Sequence, residues 1–240
     1  MIEIKLHPLT AILLILGYFV LILLPLYSVY YALLLTYSAL PFYVFVMLLP
    51  IILLVSYIFF VILFIIELKI IQRLIHSDDV EGVYELNKLN MALLNFVLTG
   101  AFSDVVERLM DFLLINKAIS HTLTFRLFGA KVGKNVFLRA RVPEPHLLEI
   151  GDNSVIGDGA IVSGHAIMNG KVYLKKVVIG KNCTIGAHAI IFQGARIEDN
   201  VIVGANSLVL PDSILKKNGF YAGSPVVLKR QNVDKKKLKK

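Results

Sequence analysis

Apolar residues recur every sixth position in the second half of the chain: Ile150, Ile156 and Val162, then Ile179, Ile185, Ile191, Ile197, Val203 and Val209. Every one is β-branched. Four residues beyond each stands a small side chain, in turn Ser154, Ala160, Ala166, Cys183, Ala189, Ala195, Val201, Ser207 and Ser213. Glycine fills the second place of the six at Gly151, Gly157, Gly180, Gly186 and Gly204. A helix face repeats every ~3.6 residues and a strand face every ~2. A strict six therefore predicts a parallel β-helix of stacked short strands. The first residue of each six points into the prism. The fifth points in near a corner and must be small, and the glycines suit corners that a Cβ would crowd. Three sixes close a triangular coil, and coils rise by the strand spacing of ~4.8 Å. The open ends of such a stack need covering. Weaker sixes, Val132/Val136 and Leu138/Val142, precede in phase, and the six starting at Glu144 does not fit. The pattern predicts about four coils over 132–214 with an interruption at 168–178.

The first third of the chain reads differently. No Asp, Glu, Lys or Arg occurs in the 61 residues from Leu6 to Ile66. One membrane span takes about 20 apolar residues, so the stretch predicts two. They lie near Leu9–Tyr30 and Phe45–Ile66, joined by a turn at Thr36–Pro41. Tyr27, Tyr30, Tyr31, Tyr37, Phe42 and Tyr43 surround that turn, as an interfacial aromatic belt would. Pro25 and Pro50 predict kinks that neighbouring groups tolerate. Lys5 precedes the first span, Lys69 and Arg73 follow the second, and the turn has no basic residue. The positive-inside rule then places both termini in the cytoplasm. The first apolar run is too long for a cleaved signal peptide, and a second run follows it. This stretch explains a mean hydropathy of +0.73, too apolar for a soluble chain.

Residues 67–128 have helical character. Ser77-Asp78-Asp79 and Ser103-Asp104 read as helix starts with N-cap side chains. Asn90–Phe102 reads as an apolar helix with a break at Gly100, lying at the membrane surface or over the open end of the prism. The expected organisation is a two-helix transmembrane hairpin (1–68), a partly amphipathic helical connector (69–128), an all-β domain (129–228) and a basic tail (229–240).

Charge adds little. Of the net +8, the tail KRQNVDKKKLKK supplies seven basic residues against Asp234, leaving +2 elsewhere. The tail is either a solvated disordered end or a contact for anionic lipid. No aromatic–basic interleaving accompanies it, so nucleic acid is not an expected partner. The one cysteine, Cys183, sits at a small inward position and reads as structural, and no disulfide within the chain can form.

Candidate chemistry gathers at the interruption. His165 is a fourth position next to the inward Ala166, so it points out beside the excursion MNGKVYLKKVV. A neutral imidazole there can take a proton from a hydroxyl or amine that attacks a thioester. Glu144 stands at a first position, where a buried carboxylate is costly. Pro143 and Pro145 flank it, so the chain is expected to leave its regular path there. Position 147 lies one coil below His165, so Glu144 either approaches the imidazole or is a loop-exposed carboxylate. His188 is another outward fourth position. It stacks on His165 if the excursion replaces a whole side, and lies on a different side if the excursion is a pure insertion. No metal is expected.

The run from about Gly129 to Arg230 resembles the hexapeptide-repeat acyltransferases. The resemblance rests on Ile185-Gly186, Gly194-Ala195-Arg196-Ile197, Val203-Gly204-Ala205-Asn206-Ser207 and Ala222-Gly223-Ser224-Pro225. These are similar to maltose, galactoside and xenobiotic acetyltransferases. Glu144-Pro145-His146-Leu147-Leu148-Glu149-Ile150-Gly151-Asp152, followed by His165, looks like the C-terminal domain of poly-lysine-type peptide synthetases and related membrane-anchored proteins. There His146 replaces a usual Asp.

The resemblance implies a left-handed parallel β-helix, a homotrimer, and an acyl-CoA co-substrate in the groove between subunits. It implies His165 as general base and, at the thioester, the backbone N–H of Ala187. Ala205 would contact the pantetheine arm through its backbone, and Arg230 would lie near CoA phosphates. A second basic residue expected after the AGSP motif is missing, since Val227 stands there. The expected protein is a multi-pass membrane acyltransferase with a cytoplasmic β-helix, acting on a hydroxyl or amine acceptor with Glu144 near the base. An amide-forming domain fed by a carrier-bound thioester and a non-catalytic trimeric scaffold remain open.

Overall fold

A computed structural model describes residues 8–74, 81–86, 91–112 and 116–231. The chain packs as two units, one through Leu74 and one from Ile75 onward.

The first unit holds helix α1, Pro8–Ala39, and helix α2, Phe42–Leu74, which pack on each other. Both run further than the expected spans. α1 stays helical through the expected turn, where the Thr36 and Ser38 hydroxyls donate back to the carbonyls of Leu33 and Leu35. Only Leu40 and Pro41 separate the helices. Pro25 and Pro50 lie inside them. The rings of Tyr37 and Phe45 meet edge-on across the turn at 5.3 Å. By length and composition α2 can cross a membrane. Met47, Ile51, Val55, Ile62 and Ile66 along it are exposed.

In the second unit the sixes become a triangular column. One side stacks Lys131–Val132, Leu148–Ile150, Val177–Ile179, Arg196–Ile197 and Ile214–Leu215, all in parallel register. The next stacks Phe137–Leu138, Val155–Ile156, Thr184–Ile185, Ile202–Val203 and Phe220–Ala222. The third stacks Arg141, Ile161–Val162, Ile190–Ile191 and Leu208–Val209. This makes four complete coils and two sides of a fifth. The first positions Ile150, Ile156, Val162, Ile179, Ile185, Ile191, Ile197, Val203 and Val209 form one buried core.

Two corner rules emerge. Second-position glycines permit close stacking: a Cβ on Gly151 would lie 2.7 Å from the backbone of Gly180, and one on Gly157 2.6 Å from Ala187 N. The fourth position turns the corner in the left-handed backbone region, at Asn153, Gly159, Asn182, His188, Gly194, Asn200, Asn206, Asp212 and Asn218. Asparagine accepts that conformation more readily than most side chains. Asparagine recurs at this fourth position, a corner signal that the apolar first positions and small fifth positions do not carry.

The interruption differs from the expected 168–178. Lys175 N donates to Gly164 O at 2.9 Å, so the excursion is an insertion of residues 165–175. His165–Met168 and Lys171–Leu174 form an antiparallel hairpin, turned at Asn169–Gly170 with both φ positive. Ala166 is therefore a hairpin residue outside the core, and Val177 takes the inward place expected for it, 1% exposed. Because the excursion is a pure insertion, His188 lies over Gly159 and not over His165.

The connector also differs. Gly82–Glu85 is a strand that adds to the hairpin beside Lys171–Leu174. Ser103 and Asp104 lie inside helix α3, Met91–Phe112, and begin no helix. Gly100 does not break α3; its bare Cα lets the helix approach Pro143, whose carbonyl a Cβ would meet at 2.9 Å. Ser77-Asp78-Asp79 lie outside the described residues. Helix α4, Lys117–Leu127, starts on an Asn116 side-chain cap and covers the lower end of the column, where Phe125 is fully buried in the core. At the upper end Tyr221 closes the core and the strand Val227–Arg230 folds back antiparallel on Phe220–Ala222.

Two stability tests follow from these packings. Asn200, at φ 60, supports a corner that alanine strains by about 1 kcal/mol. Asn200→Ala is expected to lower the unfolding midpoint while Asn200→Gly leaves it nearly unchanged; equal effects would remove the corner argument. Glu107 on α3 is pushed from its ordinary 4.5 up to about 7, by burial first and then by Asp104 and Asp111, against the pull of Arg141 and Lys117. Between those values the folded chain holds a proton that the unfolded chain has lost, so stability falls as pH rises from 4.5 to about 7. Glu107→Gln is expected to flatten that slope in thermal unfolding measured from pH 5 to 8.

Candidate active site

Prolines at 143 and 145 take the chain off the regular coil, and Pro145–Leu147 forms a single 3-10 turn with Glu144 at its start. The detour points the Glu144 carboxylate inward, leaving the residue 2% exposed. A buried carboxylate needs partners, and Glu144 has two. Gly164 N donates to Oε2 at 2.9 Å, and Oε1 lies 2.6 Å from His165 Nδ1. Gly164 must be glycine for this: a Cβ there would lie 2.7 Å from Leu147 Cβ.

His165 opens the hairpin. Its side chain alternates with Ala166 along the strand, shares a face with Ile167 and pairs across to Leu174, on the sheet face that carries Val172 and Tyr84. That face packs on α3: Leu93, Leu147, Val172 and Leu174 form one buried cluster, with Phe96 and Tyr84 against it. The Phe96 ring sits 5.2 Å from the His165 ring, tilted by 58°. Ser163 fixes the strand start. Its hydroxyl donates to His165 O at 3.0 Å and lies 3.2 Å from Nδ1. A proton on Nδ1 satisfies the carboxylate and leaves the Nε2 lone pair as an acceptor. The side chain keeps 28% of its surface exposed.

Of the other expected residues, Ala187 and Ala205 stack at a different corner, between the second and third sides. Asn206 N donates to Ala187 O at 3.0 Å there. A Cβ on Gly186 would run into the Ala205 backbone N. Neither Ala187 N nor Ala205 N has an acceptor among the described residues. Arg230 is exposed on the fold-back strand opposite Phe220. The structure thus brings His165 and Glu144 together, and Ala187 and Ala205 together, at two separate corners of one chain. His188 is exposed beside Ala187 and turns that second corner. His146 packs against Gly129. Cys183 is fully buried, its sulfur 3.1 Å from Glu198 O. Among the described residues no group of three or more His, Cys, Asp or Glu could hold a metal. Phe96 and Ser163 are site neighbours that the repeat does not mark.

Residues 176–211 match the family model of the hexapeptide repeat of succinyl-transferase. The column of the second unit has the hexapeptide-repeat β-helix fold. A solved structure at a TM-score of 0.51 shares the fold, and others are similar over part of it. A maltose O-acetyltransferase from Clostridium difficile 630 is 21% identical with a TM-score of 0.51, over 64% of this chain and 94% of that one. A galactoside acetyltransferase in complex with coenzyme A is also 21% identical, with a TM-score of 0.49 over 67% of this chain and 92% of that one. A hexapeptide-repeat containing acetyltransferase from Vibrio cholerae is 15% identical, TM-score 0.46, covering 58% and 93%. The comparison with curated proteins gave no match.

The Glu144–His165 contact fixes which ring nitrogen of the hexapeptide-repeat domain carries the proton. Nitrogen-15 spectra are expected to show the Nδ1–H tautomer of His165 in the wild type and a shift toward Nε2–H in Glu144→Leu. An Nε2–H ring in the wild type would contradict the pairing.

Proposed function

We propose that this protein is a membrane-anchored acyltransferase that moves an acyl group from a pantetheine thioester to a hydroxyl or amine. The observation that carries the reading is the buried Glu144 carboxylate 2.6 Å from His165 Nδ1. It orients a partly exposed imidazole whose Nε2 is left as an acceptor. His165 Nε2 takes the acceptor's proton as the acceptor's oxygen or nitrogen attacks the thioester carbonyl carbon. The tetrahedral intermediate collapses, the C–S bond breaks, and the imidazolium returns the proton to the leaving thiolate. Glu144 stabilises the imidazolium between these steps.

The oxyanion needs N–H donors. Ala187 offers a backbone N–H with no acceptor among the described residues, yet it stands at a corner other than that of His165. One chain therefore holds half a site, and a second copy completes it. A homotrimer, three clefts each with His165 from one copy and Ala187 and Ala205 from its neighbour, satisfies this. The outward residues of the second side, Phe137, Val155, Thr184, Ile202 and Phe220, carry no charge, as an assembly surface requires. Arg230 is the group available to a CoA phosphate. With Val227 in place of a second basic residue, a carrier-bound pantetheine is an equally fitting donor.

The first unit is the anchor. The uncharged length of α1 and α2 and the exposed apolar side chains of α2 fit a two-span hairpin in the lipid bilayer. Lys5, Lys69 and Arg73 place its two ends, and the catalytic domain after it, on the cytoplasmic side.

The deciding assay follows thiol release from acetyl-CoA against a panel of amine and alcohol acceptors. His165→Ala is expected to lower turnover by about 10²- to 10⁴-fold while the detergent-solubilised mass stays that of a trimer. Turnover unchanged in His165→Ala would reject the assignment, and a monomeric mass with full turnover would reject the shared cleft.

A further inference from the structure

α3 lies outside the hexapeptide repeat, yet one stripe of it touches His165 and the residue that precedes Glu144. Leu93, Phe96 and Gly100 are spaced by three and four residues, so they share a helix face. Leu93 packs with Leu147, Val172 and Leu174. Phe96 lies against the His165 ring at 5.2 Å. Gly100 sits on the Pro143 carbonyl, one residue before Glu144, closely enough that a Cβ would meet it at 2.9 Å. Leu147 in turn presses on Gly164, the glycine whose N–H holds Glu144 Oε2.

We propose that α3 is the clamp of this site, with Phe96 and Gly100 as positioning residues. Gly100 sets the depth at which Glu144 lies, and Phe96 closes the side of the imidazole that neither Glu144 nor Ser163 restrains. Glu144 and Ser163 both act at Nδ1 and the adjacent backbone. A bond at that one atom leaves the ring able to tilt about the line from Nδ1 to Glu144 Oε1, and an aromatic wall with its centroid 5.2 Å away blocks that tilt. The wall is a planar apolar surface, so it restrains the ring without competing for its protons.

The role in turnover rests on the acyl-transfer reading above; the role in holding the ring does not. Two measurements separate them. The first is steady-state kinetics with acetyl-CoA on the full-length protein in detergent. Phe96→Leu is expected to lower kcat by about 10- to 100-fold, the scale of a small misplacement of a reacting group, with KM for acetyl-CoA unchanged. Phe96→Tyr, which keeps the ring, is expected to retain kcat. The second is the nitrogen-15 signal of the His165 Nδ1–H, expected to broaden or shift in Phe96→Leu and Gly100→Ala and to persist in Phe96→Tyr. Should one variant fail to fold, the other carries the test.

An unchanged Nδ1–H signal in Phe96→Leu or Gly100→Ala would overturn the clamp. So would a loss expressed as a higher KM, because Phe96 would then be touching the substrate. If the wild type turns over no thioester, the acyl-transfer reading falls, and the Nδ1–H comparison still decides the clamp.

Discussion

A carboxylate shut away from water has to find its partners within the protein, and the arrangement around Glu144 follows from that demand. Two prolines move the chain off its coil so that the side chain can turn inward. A glycine at 164 brings a backbone N–H close enough to donate to it. The imidazole of His165 supplies the second partner. Remove any one of these and a buried charge is left short of a hydrogen bond, a cost of several kcal/mol for an ionised group. The site is thus built into the packing of the column's second coil.

The column supplies rigidity and spacing. Its strands are mostly two or three residues long, and each is held by the coil above and below. Insertions are accommodated at corners, where the chain already turns. The 165–175 hairpin leaves at one corner and returns within hydrogen-bonding distance of its exit, so the stacking of the third coil on the second continues undisturbed. Helices from the connector then meet two different needs. α4 closes the apolar lower end with Phe125, and α3 lies along the hairpin and the Glu144 detour.

Much of the column was legible because its pattern is local and periodic. The first positions from Ile150 to Val209 name the core residues directly. The limits of that pattern also explain the errors. Ala166 is small and stands where a small residue belongs, so the repeat reads on past its true end. Val177, which fills that inward place, is larger than most of its counterparts and conceals the resumption. The fourth-position asparagines carry a corner signal that depends on backbone conformation, which hydropathy does not report. Gly82–Glu85 is a strand only because Lys171–Leu174, some ninety residues on, offers it an edge. Phe96 lies in an apolar helix whose sequence says nothing of the ring it will meet. Local periodicity thus reveals the scaffold, while contacts made across long separations, including those that hold His165, appear only in three dimensions.

We propose that His165 and the N–H groups of Ala187 and Ala205, which have no acceptor among the described residues, face a single thioester across a boundary between copies. A crystal structure of the full chain soaked with a non-hydrolysable acetyl-CoA analogue tests it most directly. The account predicts the thioester carbonyl at Ala187 N of one copy, with its carbon within reach of an acceptor held by His165 Nε2 of the next. Ligand bound away from both corners, or His165 and Ala187 of neighbouring copies facing separate solvent, would contradict it.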